Sequence, residues 1–457
     1  MAGVSATRDD RGPGSPWLPF LAGALAGAAG LVLARAFTPR PGLDPRLLGH
    51  RRARELPPIV VVPGLLGSEL QRPDGTRVWL NLGNALGYHD LGLPAALPLA
   101  SSRDDLVPGG LLGADAALPR LFGFTEYADL VEFLKDFSLS FHVFTYDWRR
   151  DLVESARRLD EALDALAEAR GEPDARFNVV GHSMGGLVAR YYLRYGTAEP
   201  GGEVTWAGAR RIGGLILGAV PSGGSIPSLD ALLNGNRVGF SSTTLAAPIV
   251  AHMPALYQLL PPVETLPFLD DKAEPTAVDL FAPSTWERFA WGPYAPASRR
   301  RQTPTAPRSD HELEKAFLSA VLARASAFQA ALARPSRTRC PVRVLVIGGD
   351  CLPTPARAVL PRRPGTHPRF EPWTRAEAET MLEAGDGRVT RASVLASHLP
   401  DAHPDEPGCG IPEVTRTIFG AADHHGLYGD ATFQSILLRA LLRRAAPAAI
   451  APPATSA

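Results

Sequence analysis

An α/β architecture with a mostly parallel central sheet is predicted by three observations. Short apolar runs recur at Ile59–Pro63, Phe141–Tyr146, Phe177–Gly181, Ile212–Val220, Val342–Gly348 and Val414–Phe419. Each has the length and β-branched content of a buried strand. Between and after them lie stretches with apolar residues at helical spacing: Leu152–Arg170, Gly185–Tyr195 and Ala431–Arg444, the last with Asp430 placed to cap it. Alternation of this kind is the pattern of parallel strands joined by crossover helices. The third observation is local: Gly181-His182-Ser183-Met184-Gly185 sits directly between a strand-type run and a helical one.

That pentapeptide fits the sharp strand-to-helix turn that holds a serine up at the edge of a sheet, the nucleophile elbow of an α/β-hydrolase. Glycines two residues either side of Ser183 leave the crowded positions clear. A serine hydroxyl needs a base to take its proton, and the base needs a carboxylate to fix its tautomer. In this fold they follow in the order serine, acid, histidine. Gly385-Asp386-Gly387 is the acid turn that fits best, with Asp350 as its competitor after another apolar run. For the base, the last strand leads into Gly-Ala-Ala-Asp-His-His-Gly, where His424 and His425 are adjacent and the residues alone do not separate them. His182 is expected to point away from its neighbour Ser183 and to be structural. Two backbone N–H groups should form the oxyanion hole: that of Met184, after the nucleophile, and that of Leu65, in the VVVPGLLGS loop that Gly64 keeps open. Asp423, His424 and His425 lack the further ligands of a metal site, so neither metal nor cofactor is expected.

Length and composition bound the rest. A chain of 457 residues accommodates one large α/β domain with insertions. Lys+Arg and Asp+Glu both number 47, so no net field draws it to nucleic acid. Arginine runs at 51, 52 and 54 and at 299–301 read as solvated loops, with anionic lipid contact as the other reading. Trp17–Ala34 carries no charge and is followed by Ala34-Arg35-Ala36, so residues 1–37 read as an export signal or an uncleaved membrane anchor. Residues 38–56 are then a linker, 57–445 the catalytic domain, and 446–457 a disordered Pro/Ala-rich tail. Within the domain, residues from about 222 to 307 break the alternation and show no clear strand, which predicts a lid or cap insertion over the active-site edge. The three cysteines, Cys340, Cys351 and Cys409, form no C-x-x-C pair, and sequence does not choose a disulfide among them.

Taken in order, PGLLGSEL, YDWRRDL, NVVGHSMGGLVARYY, GDGRVT and the histidine loop before the last helix resemble the lecithin:cholesterol acyltransferase family, and most of all its bacterial lipase-like members. Val78–Leu80 (VWL) and the strings DALLNG and MPALYQLLP add to the likeness, which spans roughly Pro57–Arg444. The resemblance implies Ser183 as nucleophile, Asp386 as acid, and Leu65 and Met184 as oxyanion donors. It favours His424 as base, because the family's histidine lies three residues before a leucine and six before an Asn or Asp, as His424 does with Leu427 and Asp430. Tyr146, Asp147 and Trp148 match a motif near the family's active site and are implied to shape the pocket. The early lid disulfide of the animal enzymes has no counterpart here, since no cysteine precedes Cys340.

The expected chemistry is acyl transfer from a lipid or other ester through an acyl-serine. Water as acceptor gives a lipase, phospholipase or esterase; a bound alcohol gives an O-acyltransferase. The expected partners are the ester substrate and a membrane surface, and the expected location is exported or membrane-anchored. A small-ester carboxylesterase and a non-catalytic lipid- or protein-binding module are the rival readings.

Overall fold

The computed structural model describes residues 56–81, 91–113, 126–238, 241–296, 310–402 and 405–442. The expected leader, nearly all of the linker, both arginine runs, the end of the insertion and the C-terminal tail lie outside the described residues.

All six predicted strands form, in one parallel sheet: β1 (Ile59–Val62), β2 (Phe141–Val143), β3 (Phe177–His182), β4 (Ile212–Gly218), β5 (Arg343–Gly349) and β6 (Arg416–Gly420), in the spatial order β6-β5-β4-β3-β1-β2. From β1 the chain steps out to the edge at β2, returns to β3 beside β1, and then moves the other way. The reversal between β1 and β3 opens a crevice beyond their carboxyl ends, the usual ligand position in open α/β sheets. With the elbow after β3, this is an α/β-hydrolase fold.

Side chains alternate across the sheet, and both faces are buried. Val60, Val62, Val179, Leu215, Leu217, Val344 and Val346 enter one core; Ile59, Val61, Val180, Ile216, Leu345 and Ile347 enter the other. On the second face lie α1 (Glu126–Asp136) and the C-terminal helix, Ala431–Leu442, with Leu130, Phe133, Leu134, Phe433 and Leu437 turned inward. The first face is covered by α2 (Leu152–Ala169), α3 (Met184–Tyr195) and the long helix α4 (His311–Ala333). Asp151 caps α2 through the Val153 N–H, and Asp430 caps the last helix through the N–H groups of Thr432 and Phe433, as its sequence suggests.

Helix α4 is the one helix among the described residues long and apolar enough to cross a membrane. Its inward face packs in the core, where Phe328 stacks on Tyr191 of α3 and the Ala331 carbonyl accepts from the Tyr195 hydroxyl.

The region from 222 differs from expectation in containing strands. Asn236–Val238 pairs antiparallel with Ser241–Leu245, and Phe268–Leu269 lies between Pro275–Thr276 and Ala358–Val359. Strands of two or three residues are too short to show alternation, and Ser241–Leu245 (SSTTL) has no apolar residue before its last. The region is not a loose flap. Leu229, Leu232, Met253, Leu256, Trp286 and Trp291 belong to the main core. Gln258 is buried, accepts the Leu152 N–H at 2.8 Å and donates to the Asp151 carboxylate at 2.7 Å, so it is fastened to the start of α2. The three cysteines are all free thiols.

One buried ion cluster ties the strand-to-helix unit carrying Ser183 to the approach of β6. Glu413 receives Arg190 Nε at 2.5 Å and Arg194 Nη1 at 2.7 Å, with all three side chains buried. Burial pushes the Glu413 carboxyl up, but the two guanidinium groups outweigh it and hold it below the usual range. Removing one member of such a cluster strands the others. Glu413→Gln should therefore lower unfolding stability by about 3–5 kcal/mol, measured by urea denaturation.

Candidate active site

Ser183 occupies a backbone conformation that L-residues rarely adopt, with φ 50° and ψ −126°. Its N–H donates to the Gly218 carbonyl of β4 at 2.8 Å, and its carbonyl accepts from the Gly186 N–H at 3.0 Å. The flanking glycines are required by contact. A Cβ on Gly185 would lie 2.2 Å from the Pro63 carbonyl oxygen, and one on Gly181 would lie 2.6 Å from the Gly186 Cα. Neither separation is sterically possible. The serine is left partly exposed above a buried turn.

Three of the predicted side chains come together. Ser183 Oγ is 3.1 Å from His424 Nε2, and His424 Nδ1 is 2.8 Å from Asp386 Oδ2. His424 and Asp386 are both buried. The other Asp386 oxygen accepts the N–H groups of Arg388 at 2.9 Å and Val389 at 2.7 Å, so the carboxylate cannot swing away from the imidazole. The His424 N–H also donates to the Asp386 carbonyl at 2.9 Å, which fixes one loop to the other. Burial pushes the Asp386 carboxyl up. The charge and hydrogen bond of His424, helped by the two N–H donors, outweigh this and hold it below the ordinary carboxylate value.

The competitors are placed elsewhere. Asp350 meets the Arg391 guanidinium at 2.8 Å. His425 stands edge-on to His424 with ring centroids 5.5 Å apart, while the bonds to Ser183 and Asp386 run from His424. His182 is buried with its ring turned below the elbow.

Leu65 lies in the turn after β1, beside the elbow; a Cβ on Gly64 would sit 2.9 Å from the Ser183 Cβ. Among the described residues neither the Leu65 nor the Met184 N–H has a protein acceptor. The turn itself is held on every side. The Tyr146 hydroxyl donates to the Pro63 carbonyl at 2.8 Å, Trp79 Nε1 to the Leu66 carbonyl at 2.9 Å, and Trp148 Nε1 to the Ser68 carbonyl at 3.0 Å. Tyr146 and Trp148 are fully buried, with their polar atoms on the Pro63 and Ser68 carbonyls that flank the Leu65 turn. Asp147 forms a salt bridge at 2.8 Å with buried Arg149, whose other partner is Asp104 at 2.7 Å. The sequence gives no sign of Tyr127, at the start of α1, whose hydroxyl accepts the Gly64 N–H at 2.7 Å. Nothing marks this tyrosine apart from other aromatic residues on an apolar helix face.

Residues 123–296 match the model of the lecithin:cholesterol acyltransferase family. The chain resembles that family. The matching segment holds Ser183 and ends before Asp386 and His424. No curated protein sequence matches. Similar solved structures include a protein of the Tle4–Tli4 complex, at 15% identity over 86% of this chain and 99% of that one, with a TM-score of 0.49. Another is mature lipase BlEst2 of Bacillus licheniformis, at 13% identity over 85% and 92%, TM-score 0.35. A third is lipase 1 of Pelosinus fermentans, at 12% identity over 84% and 98%, TM-score 0.35.

The lowered Asp386 value carries a pH signature. A depressed carboxylate contributes stability in full above its unfolded value of about 4, and loses it as pH falls through the lower folded value. The stability difference between the parent protein and Asp386→Asn should therefore be larger at about pH 5 than at about pH 2 and narrow as pH falls through that range, read from denaturation midpoints.

Proposed function

We propose that this chain is a serine-dependent acyl hydrolase or O-acyltransferase acting on lipid esters. The observation that carries this reading is the hydrogen-bonded string Ser183 Oγ, His424 Nε2, His424 Nδ1, Asp386 Oδ2, with steps of 3.1 and 2.8 Å. The lecithin:cholesterol acyltransferase match over residues 123–296 supports lipid esters as the substrate class.

In the proposed reaction His424 Nε2 takes the Ser183 hydroxyl proton as Oγ attacks the ester carbonyl. The tetrahedral oxyanion lies between the N–H groups of Leu65 and Met184. Such aimed donors are each worth about 10²–10³ in turnover. Collapse breaks the bond to the alcohol, which leaves with the proton from His424, and the acyl group stays on Ser183. Water or a second alcohol then attacks this ester with His424 again as base, and Ser183 is released. Asp386 keeps the Nδ1 hydrogen on His424 directed at itself, which leaves Nε2 free to accept. Hydrolase and transferase use the same residues; the acceptor decides between them.

We further propose residues 57–445 as the catalytic domain, the segment from about 222 to 307 as its cap, and residues 1–37 as an export signal or membrane anchor that brings the enzyme to lipid. The reading is tested by fatty-acid release from phosphatidylcholine vesicles. Ser183→Ala should lower turnover about 10⁶-fold with the fold intact. Release near the parental rate in that variant would overturn the mechanism. His424→Ala should abolish release while His425→Ala retains most of it; the reverse order would move the base to His425.

A further inference from the structure

His182 and Tyr127 play no part in the reaction as written, yet they join its two halves. The Gly64 N–H donates to the Tyr127 hydroxyl oxygen at 2.7 Å. That hydroxyl is 2.9 Å from His182 Nδ1, and His182 Nε2 is 3.2 Å from the backbone carbonyl of His424. The directions follow from the partners. A carbonyl only accepts, so His182 carries its hydrogen on Nε2. In the neutral ring Nδ1 is then an acceptor and takes the hydrogen of the Tyr127 hydroxyl, which itself accepts from Gly64. Every bond in the string points the same way, from the turn that presents Leu65 to the loop that presents His424.

The fold makes this possible through the two-residue period of a strand. His182 follows Val180 on the second face of the sheet, opposite the face of Val179. Its ring therefore passes beneath the elbow while Ser183 rises above it. Tyr127 arrives from α1, which covers that face, and both side chains are buried. The ring of His182 is packed between Tyr127, His424 and Tyr428, at centroid distances of 5.6, 5.0 and 5.4 Å. It has no room to rotate into another arrangement.

We infer that Tyr127 and His182 are positioning residues that set the distance between the oxyanion turn and the general base, by a buried string running under the nucleophile. The His424 backbone is thereby held at both ends, its N–H by the Asp386 carbonyl and its carbonyl by His182. Displacements of about 1 Å in such a constellation can cost about 100-fold in rate. The loss should fall on kcat, because neither residue is placed to touch the substrate.

The inference rests on the serine mechanism proposed above, and the test separates the two. Hydrolysis of p-nitrophenyl esters is measured for the full chain and for Ser183→Ala, Tyr127→Phe, His182→Phe and the double variant Tyr127→Phe/His182→Phe, alongside thermal melting. Each single variant should lose about 10- to 100-fold in kcat with KM within about threefold of the parent. The double variant should lose no more than the worse single one, because both cut the same string. Folded single variants with parental kcat, or losses that multiply in the double variant, would overturn the inference. If His182→Phe fails to fold, Tyr127→Phe alone decides it, since it removes one oxygen and keeps the ring. Activity persisting in Ser183→Ala would instead overturn the mechanism on which the inference stands.

Discussion

The backbone of Ser183 is the constraint around which the rest is arranged. Its positive φ is a conformation that costs on the order of 1–3 kcal/mol and persists only where the surroundings determine it. They do so from three directions. The preceding strand lies between β1 and β4, the Ser183 N–H is taken by the Gly218 carbonyl, and the following helix is wedged by glycine against the Val62 and Pro63 carbonyls. That helix is in turn fixed by the Arg190–Glu413–Arg194 cluster and by the Tyr195 hydroxyl on α4. Strain at one residue is thus supported by a large buried scaffold.

The same scaffold keeps polar groups aimed before any ligand arrives. Asp386 spends its acceptor capacity on one imidazole and two backbone N–H groups, so it cannot reorient. The turn after β1 is held by indole and phenol donors rather than by its own backbone alone. A turn fixed in this way has little freedom to reorganise.

Much of this was legible in the sequence because the features concerned are local. The parallel strands are dense apolar runs, and the elbow and the Asp386 turn announce themselves through glycines whose positions are dictated by contacts a few residues away. His424 and His425 could be separated only by resemblance. In the structure they differ because one ring meets Asp386 and Ser183 while its neighbour's stands edge-on. The partners of Tyr146 and Trp148 were not legible; their polar atoms bond to carbonyls 80 or more residues earlier in the chain, which no local pattern encodes. The short strands after residue 222 were illegible because most have only two or three residues and the longest, Ser241–Leu245, is polar up to its last residue. Tyr127 was illegible because its significance lies in one oxygen atom.

The attachment of Gln258 reaches well beyond its own stretch of chain. Asp151, which it contacts, also caps α2 and meets Arg324 of α4 at 2.7 Å. The Gln258 carbonyl accepts from Gln329 on the same helix at 2.6 Å. Three segments distant in sequence therefore share one polar node, and the stretch around Gln258 is not a module that can be exchanged by cutting at its ends. A chimera carrying the corresponding segment of another protein of this fold would keep Asp151, Arg324 and Gln329 but lose the amide that joins them. Compatibility at this node, more than loop length, would decide which segments the scaffold accepts in that place.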